Sequence, residues 1–144
     1  MEVKVKKLNE RAKLPTFGTD FSAGADLYCA EQETITIQPH ETYLVGTGIS
    51  TEIPEGCVGL VYARSGLACK RNLCLANSVG VIDSDYRGEI KVALHNEGAI
   101  SQRVAPEERI AQMIIMPYPK IEYNEAKEIG KTQRGNGGFG STGR

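Results

Sequence analysis

The segment Gly80-Val81-Ile82-Asp83-Ser84-Asp85-Tyr86-Arg87-Gly88-Glu89 holds two acids two residues apart and an aromatic just after them. A carboxylate placed at such a turn can take a proton from an attacking water. Taken alone, Asp83 reads as a turn-forming acid and Tyr86 equally as a hairpin aromatic in the core. Ala63-Arg64-Ser65-Gly66-Leu67-Ala68 sets a cation, a hydroxyl and backbone amides at the start of an expected helix, an arrangement that suits an anion. A helix cap beside an exposed Arg is the plainer reading of the same residues. Asp26 stands alone among small residues in Ala23-Gly24-Ala25-Asp26-Leu27, and Gln112 is the one amide in the apolar run Arg109-Ile110-Ala111-Gln112-Met113. Asn77, six residues before Asp83, can both donate and accept hydrogen bonds, although Asn is more often a simple turn residue.

The C-terminal end changes character. Past Pro117-Tyr118-Pro119 the hydrophobic pattern fades, and six of the sixteen glycines lie between Gly130 and Gly143. Such a stretch cannot pack a core alone and reads as a disordered tail. With Arg134, Phe139, Ser141 and Thr142 embedded in it, it also suits a lid that orders over a ligand. Gly135-x-Gly137-x-x-Gly140 matches a dinucleotide fingerprint in letters only. That fingerprint must open a helix between two strands, and here the sequence stops four residues later. No GxxxxGK[ST] phosphate loop is present.

Composition narrows the field. The chain has 144 residues, 40% of them hydrophobic, with a net charge of -1. One globular domain is expected, and a nucleic-acid binder with a broad basic surface is not. No apolar run approaches a membrane span of about eighteen residues. No signal segment opens the sequence, and Cys29, Cys57, Cys69 and Cys74 form no CxxC pair. Reduced thiols in a cytoplasmic protein are expected. His40 and His95 are the only histidines, which leaves little for a zinc site or a Ser-His-Asp triad.

The elements that must position these groups are short and extended. Runs over Val3–Val5, Thr34–Ile37, Tyr43–Ile49, Cys57–Tyr62, Val79–Ile82, Glu89–Leu94 and Arg109–Met116 are separated by Gly, Pro, Asn and Asp. This punctuation predicts an all-β sandwich, jelly roll or barrel. One helix is expected from Ser65 to about Asn72, with Ser65 as its cap.

The five segments around Asp26, Arg64, Asp83, Gln112 and Arg134–Gly143, in this order and spacing, resemble the five motifs of the homotrimeric all-β dUTP diphosphatases. The likeness runs from Ala23 to Gly143 and ends in the sequence RGNGGFGSTG. It implies a distorted jelly-roll or β-barrel-like domain over residues 1–119 and a C-terminal arm over 120–144. The activity it implies is hydrolysis of dUTP to dUMP and pyrophosphate, helped by Mg²⁺, which limits uracil in DNA and supplies dUMP for thymidylate synthesis.

On this resemblance Asp83 is the catalytic acid that orients and deprotonates a water for in-line attack on the α-phosphorus. Tyr86 stacks on the deoxyribose, and Asn77 reads uracil. Backbone from Gly80, Val81 and Ile82 onward to Lys91 completes the base slot. Arg64, Ser65 and Gly66 hold the phosphate chain, while Asp26 and Gln112 reach Mg²⁺ through water. Phe139 covers uracil, and Arg134, Gly140, Ser141 and Thr142 close on the phosphates. Asp85 is expected to point away from the face that Asp83 serves. Ala63, where Gly or Pro often precedes the Arg, and Lys91, at an often apolar position, depart from the commonest family wording.

A homotrimer with shared active sites follows from the resemblance. Extended, the chain from Lys120 to Arg134 would span roughly 50 Å, enough to reach a neighbour. The related dCTP deaminases share the fold, but the complete Phe-containing tail favours the hydrolase. A non-catalytic nucleotide-sensing module on the same fold would have little need of Asp83, Tyr86 and that tail together.

Overall fold

Along Cys57–Tyr62, buried and half-buried residues strictly alternate, as in a strand with one face against a core. Short stretches of this kind build almost the whole molecule. A computed structural model of the chain describes residues 1–139; Gly140, Ser141 and Thr142 lie outside the described residues. In chain order the strands are β1 (Lys4–Lys7), β2 (Thr16–Phe17), β3 (Ala25–Tyr28), β4 (Ile35–Ile37), β5 (Thr42–Gly46), β6 (Ile49–Glu52) and β7 (Cys57–Tyr62). The helix α1 (Ser65–Arg71) follows, then β8 (Leu73–Leu75), β9 (Gly80–Ile82), β10 (Lys91–Asn96), β11 (Gln102–Val104) and β12 (Arg109–Pro117).

The largest sheet runs β2-β3-β12-β7-β9, and a second runs β5-β10-β8; the pairs β1-β6 and β4-β11 complete the set. Every ladder is antiparallel. Between the sheets lie Leu27, Ile37, Ile49, Leu73, Ile90, Leu94 and Ile110, all fully buried. This is the all-β, distorted jelly-roll class that the sequence predicts.

Asn96 is the exception within this apolar interior. It is completely buried, and its side chain donates to the carbonyls of Ile37 and Ile100 at 3.0 and 2.8 Å. Its oxygen accepts from the Gly98 amide at 2.9 Å. A buried amide so fully paired ties three chain segments together without a desolvation penalty.

Several expected elements are redrawn. The run Tyr43–Ile49 is two strands, because the chain turns at Thr47-Gly48 and changes sheet: β5 pairs with β10, β6 with β1. Gly48 makes that corner with φ of 65°, a conformation that suits glycine. β2, β3, β8 and β11 are strands that turn punctuation did not mark. The helix begins one residue earlier than a Ser65 cap would require. Arg64 is the cap residue, extended at φ -87° and ψ 131°, with no side-chain cap bond. Its side chain is engaged elsewhere, as described below. The C-terminal end falls at Asn72, which takes a left-handed φ of 53°.

β12 ends at Pro117, and the Tyr118 amide is held by the Gly56 carbonyl at 2.9 Å. From Lys120 to Asn136 the chain is exposed and contains no strand. No helix among the described residues is long and apolar enough to cross a membrane.

Candidate active site

β3 and β12 lie side by side with Asp26 directly opposite Gln112, so both side chains leave the same face of the sheet. β7 flanks β12 on the other side, with Tyr62 opposite Gln112. The chain leaving β7 therefore carries Arg64 back over this face. Arg64 Nε donates to Asp26 Oδ1 at 2.9 Å, and Arg109 Nη1 donates to Asp26 Oδ2 at 3.2 Å. Gln112 Nε2 donates to the Ala63 carbonyl at 3.1 Å. Together with Ser65, Gly66 and Gly24 these residues line one open pocket. Two guanidinium groups against one carboxylate leave a net positive charge there, suited to a polyanion.

Arg109 is a site residue that sequence reasoning missed. Residues three apart on a regular strand point to opposite faces, so Arg109 and Gln112 should diverge. The β12 ladder slips between Arg109 and Ala111, and this bulge turns Arg109 onto the Asp26 face. A cation heading an otherwise apolar strand was the only visible signal.

The second part of the site lies where β9 and β10 separate. The two strands do not pair with each other: β9 is the edge strand beside β7, whereas β10 belongs to the other sheet. Between them Val81, Ile82, Asp83, Tyr86, Glu89, Ile90 and Lys91 line a slot. Among the described residues the outer edge of β9 has no ladder partner, and β8 pairs with β10 only from Leu94 onward. Unpaired backbone edges on both sides of a cleft can hydrogen-bond the edge of a planar base.

Tyr86 closes one side of this slot. Its amide binds the Asp83 carbonyl at 3.2 Å and its hydroxyl donates to the Glu89 carbonyl at 3.0 Å. Glu89 Oε1 accepts from the Gly48 amide at 2.8 Å, tying the slot to the β5–β6 corner. Lys91 Nζ lies 3.7 Å from Glu89 Oε2, so its side chain leans on that acid.

Asp83 is exposed and stands at the mouth of the slot; it also lines a wider groove with Ser84, Asp85 and Arg87. Asp85 lines the same groove as Asp83 and not an opposite face: residues two apart share a face of a strand, so alternation never separated the two acids, and in any case the strand stops at Ile82. Only Asp83 of the two lines the slot. Asn77 sits exposed in the turn before β9, outside the slot lining, and Gly80 pairs with Val61.

The two halves do not meet within one chain. Ile82 is level with Gly59 on β7, so Asp83 is level with Val58, whereas Arg64 lies beyond the other end of the strand. Six residues of strand separate them by roughly 20 Å. The arm does not bridge the gap among the described residues. Arg134 Nε donates to the Gly137 carbonyl at 2.8 Å, and Phe139 is fully exposed.

No group of three or more His, Cys, Asp or Glu able to hold a metal is present among the described residues. Both Asp26 oxygens are already engaged by arginines. A carboxylate so engaged offers a metal no bare oxygen, only contacts through water, of the kind that Mg²⁺ keeps because it gives up water reluctantly.

Paired arginines over a carboxylate, and a cleft edged by open backbone, give this all-β domain one pocket suited to a polyanion and another suited to a planar ring. A sequence model of the dUTPase family matches residues 10–143, and the chain belongs to that family. The chain is 50% identical to a deoxyuridine 5'-triphosphate nucleotidohydrolase of Hydrogenobaculum sp., over 99% of each. It is 46% identical to the enzyme of the same name from Nautilia profundicola, over 100% of each. Among solved structures it is similar to a variant of the Staphylococcus bacteriophage 80alpha dUTPase with dUpNHpp, with a TM-score of 0.92, 29% identity and 99% of each chain covered. A dUTPase variant from phage phi11 of S. aureus is similar with a TM-score of 0.81 and 26% identity over 89% of this chain and 98% of its own. That structure is described as revealing the coordination of a structural Mg(II) ion.

Proposed function

We propose that this protein hydrolyses dUTP to dUMP and pyrophosphate at a site completed by a second copy of the chain, and by the arm of a neighbour, in a homotrimer. The observation that carries the reading is Asp83 at the mouth of the β9–β10 slot. A uracil entering between the two strand edges would present its edge to backbone groups, with Asn77 nearby. The slot then reads the base by shape and would crowd thymine's methyl group. Tyr86 walls the sugar. The α-phosphate emerges beside the Asp83 carboxylate.

There the carboxylate accepts a proton from a water as its oxygen bonds the α-phosphorus, and the bond from that phosphorus to the bridging oxygen breaks. Arg64 and Arg109, with Ser65 and Gly66, neutralise the departing pyrophosphate. Asp26 and Gln112 would hold the waters of Mg²⁺; when bound, the ion draws charge from the phosphate oxygens. Because Arg64 and Asp83 of one chain lie roughly 20 Å apart, the arginine cluster of an adjacent copy is the one that serves each Asp83. Arg134, Phe139, Gly140, Ser141 and Thr142, on the arm formed by residues 120–144 beyond the domain at 1–119, would cover the nucleotide.

All four cysteines are free thiols, which suits a reducing cytoplasm. Pyrophosphate release is followed with dUTP, dCTP, dTTP and UTP, each with and without Mg²⁺. Rapid release from dUTP alone is expected, and uracil nucleotide formed from dCTP would refute the reading in favour of a deaminase. Mixing inactive Asp83→Asn and Arg64→Ala chains tests the shared site: refolded together they regain turnover, and no recovery would place both halves in one chain.

A further inference from the structure

Gly88 has no conformational need to be glycine. The described glycines with positive φ are Gly48, Gly56 and Gly135, so the backbone at Gly88 is open to other residues. Space is what forbids a side chain. A Cβ built there would fall within 2.9 Å of three Tyr86 atoms, the hydroxyl oxygen, Cζ and Cε2. Tyr86 is thus folded back over its own loop with the phenol end of its ring resting on the Gly88 backbone. Its hydroxyl is fastened one residue further on, to the Glu89 carbonyl at 3.0 Å.

With 44% of Tyr86 exposed, the close approach to Gly88 and the hydroxyl's bond to the Glu89 carbonyl hold the phenol end of the ring. Its depth is therefore set by contact with Gly88 and by that one hydrogen bond. A methyl group at position 88 would break the bond and swing the ring, either outward to solvent or across the slot it lines. Both movements shift the wall that faces the sugar.

Resting on the slot reading above, we infer that Gly88 is a positioning residue for sugar choice. By lacking a side chain it fixes the height of the Tyr86 ring and so the exclusion of a 2′-hydroxyl. A hydroxyl is a small difference, and a displacement of about 1 Å in the wall that rejects it can cost on the order of a hundredfold.

The test compares kcat/KM for dUTP and UTP, and Kd for dUMP and UMP, in the unaltered protein, Gly88→Ala, Tyr86→Ala and the double variant. Gly88→Ala is expected to lower the deoxyribose preference by roughly 10- to 100-fold, chiefly through KM, with its melting temperature near that of the unaltered protein. In the Tyr86→Ala background the ring is gone, and adding Gly88→Ala should change the preference by less than about twofold. An unchanged preference in Gly88→Ala, or an equal further loss in the Tyr86→Ala background, would overturn the inference. Should Gly88→Ala fail to fold, the double variant must recover the fold, because the clashing ring is absent; a double variant that also fails overturns it. Lack of dUTP turnover by the unaltered protein would strike the proposed activity alone, and the dUMP and UMP affinities would still decide the role of Gly88.

Discussion

Arg109 reaches Asp26 across the β3–β12 ladder, Nη1 to Oδ2 at 3.2 Å, on the carboxylate oxygen that Arg64 leaves open. The contact exists because a bulge turns Arg109 to the Asp26 face. The acid is mostly buried while the Arg109 side chain is half exposed. Asp26 therefore acts as a fixed anchor that presents the Arg109 guanidinium outward.

Arg109→Ala should weaken dUTP binding far more than it weakens the fold. A charge-assisted hydrogen bond contributes about 1.5–3 kcal/mol, so KM should rise roughly 10- to 100-fold. Steady-state kinetics with dUTP check this, and an unchanged KM would remove Arg109 from the phosphate site.

Asp83→Asn should leave the melting temperature and dUMP affinity near their original values, because the side chain is exposed. Turnover should fall by about 10²- to 10⁴-fold as proton acceptance is lost. Asp85→Asn is the internal comparison. Asp85 lines the shared groove but not the slot, so most turnover should survive. Equal losses in both variants would mean that the groove, not the slot mouth, holds the reacting water.

Much of this was legible in the sequence because strands and turns are local. Thr34–Ile37 alternates, Pro54-Glu55-Gly56 punctuates, and the seven-residue helix lies where residues Ser65 onward tolerate it. What escaped depends on distant partners. The β12 bulge is set by its pairing with β3. The break at Thr47-Gly48 follows from two sheets meeting at one corner. The separation of β9 from β10 cannot be told from a hairpin when only the strand–turn–strand letters are seen. Asn96 reads as a turn residue, and only the fold reveals the carbonyls of Ile37 and Ile100 that bury it. The site motifs were legible one by one. Their distribution over two ends of β7 was not, since that needs the register.

Gly24→Ala tests the metal-facing side. A Cβ at Gly24 would lie 2.7 Å from Gln112 Oε1 and 3.3 Å from Gln112 Cβ and Cδ. The Gln112 amide must shift to make room, which disturbs its bond to the Ala63 carbonyl. The Mg²⁺ concentration giving half-maximal turnover should rise several-fold, and Gln112→Ala should match it. A Mg²⁺ titration that coincides with that of the unaltered protein would show that Gln112 does not reach the hydrated ion.

Removal of residues 135–144 should abolish most dUTP turnover without lowering the melting temperature, since none of the described residues from Gly135 to Phe139 is buried. Thermal melts and kinetics on the same truncated protein check both halves of the statement. Loss of the fold would mean that the arm is structural.

Cys29 gives the fold a dependence on alkaline pH. It is completely buried, and burial foremost raises its pKa above the ordinary 9.0. The charges of Glu31 and Glu108 add to the rise, against a backbone hydrogen bond at Glu31. Below pH 9 the thiol is protonated in both folded and unfolded chains and stability is unaffected. Above pH 9 the unfolded chain releases this proton first and binds fewer protons than the folded one, so stability falls as pH rises toward the folded-state value. The melting temperature should therefore decline as the pH rises above 9.0. Cys29→Ala should melt lower at neutral pH, because a small cavity opens in the core. Its decline above pH 9 should be shallower than that of the unaltered protein. Parallel declines in the two proteins would assign the alkaline loss to other groups.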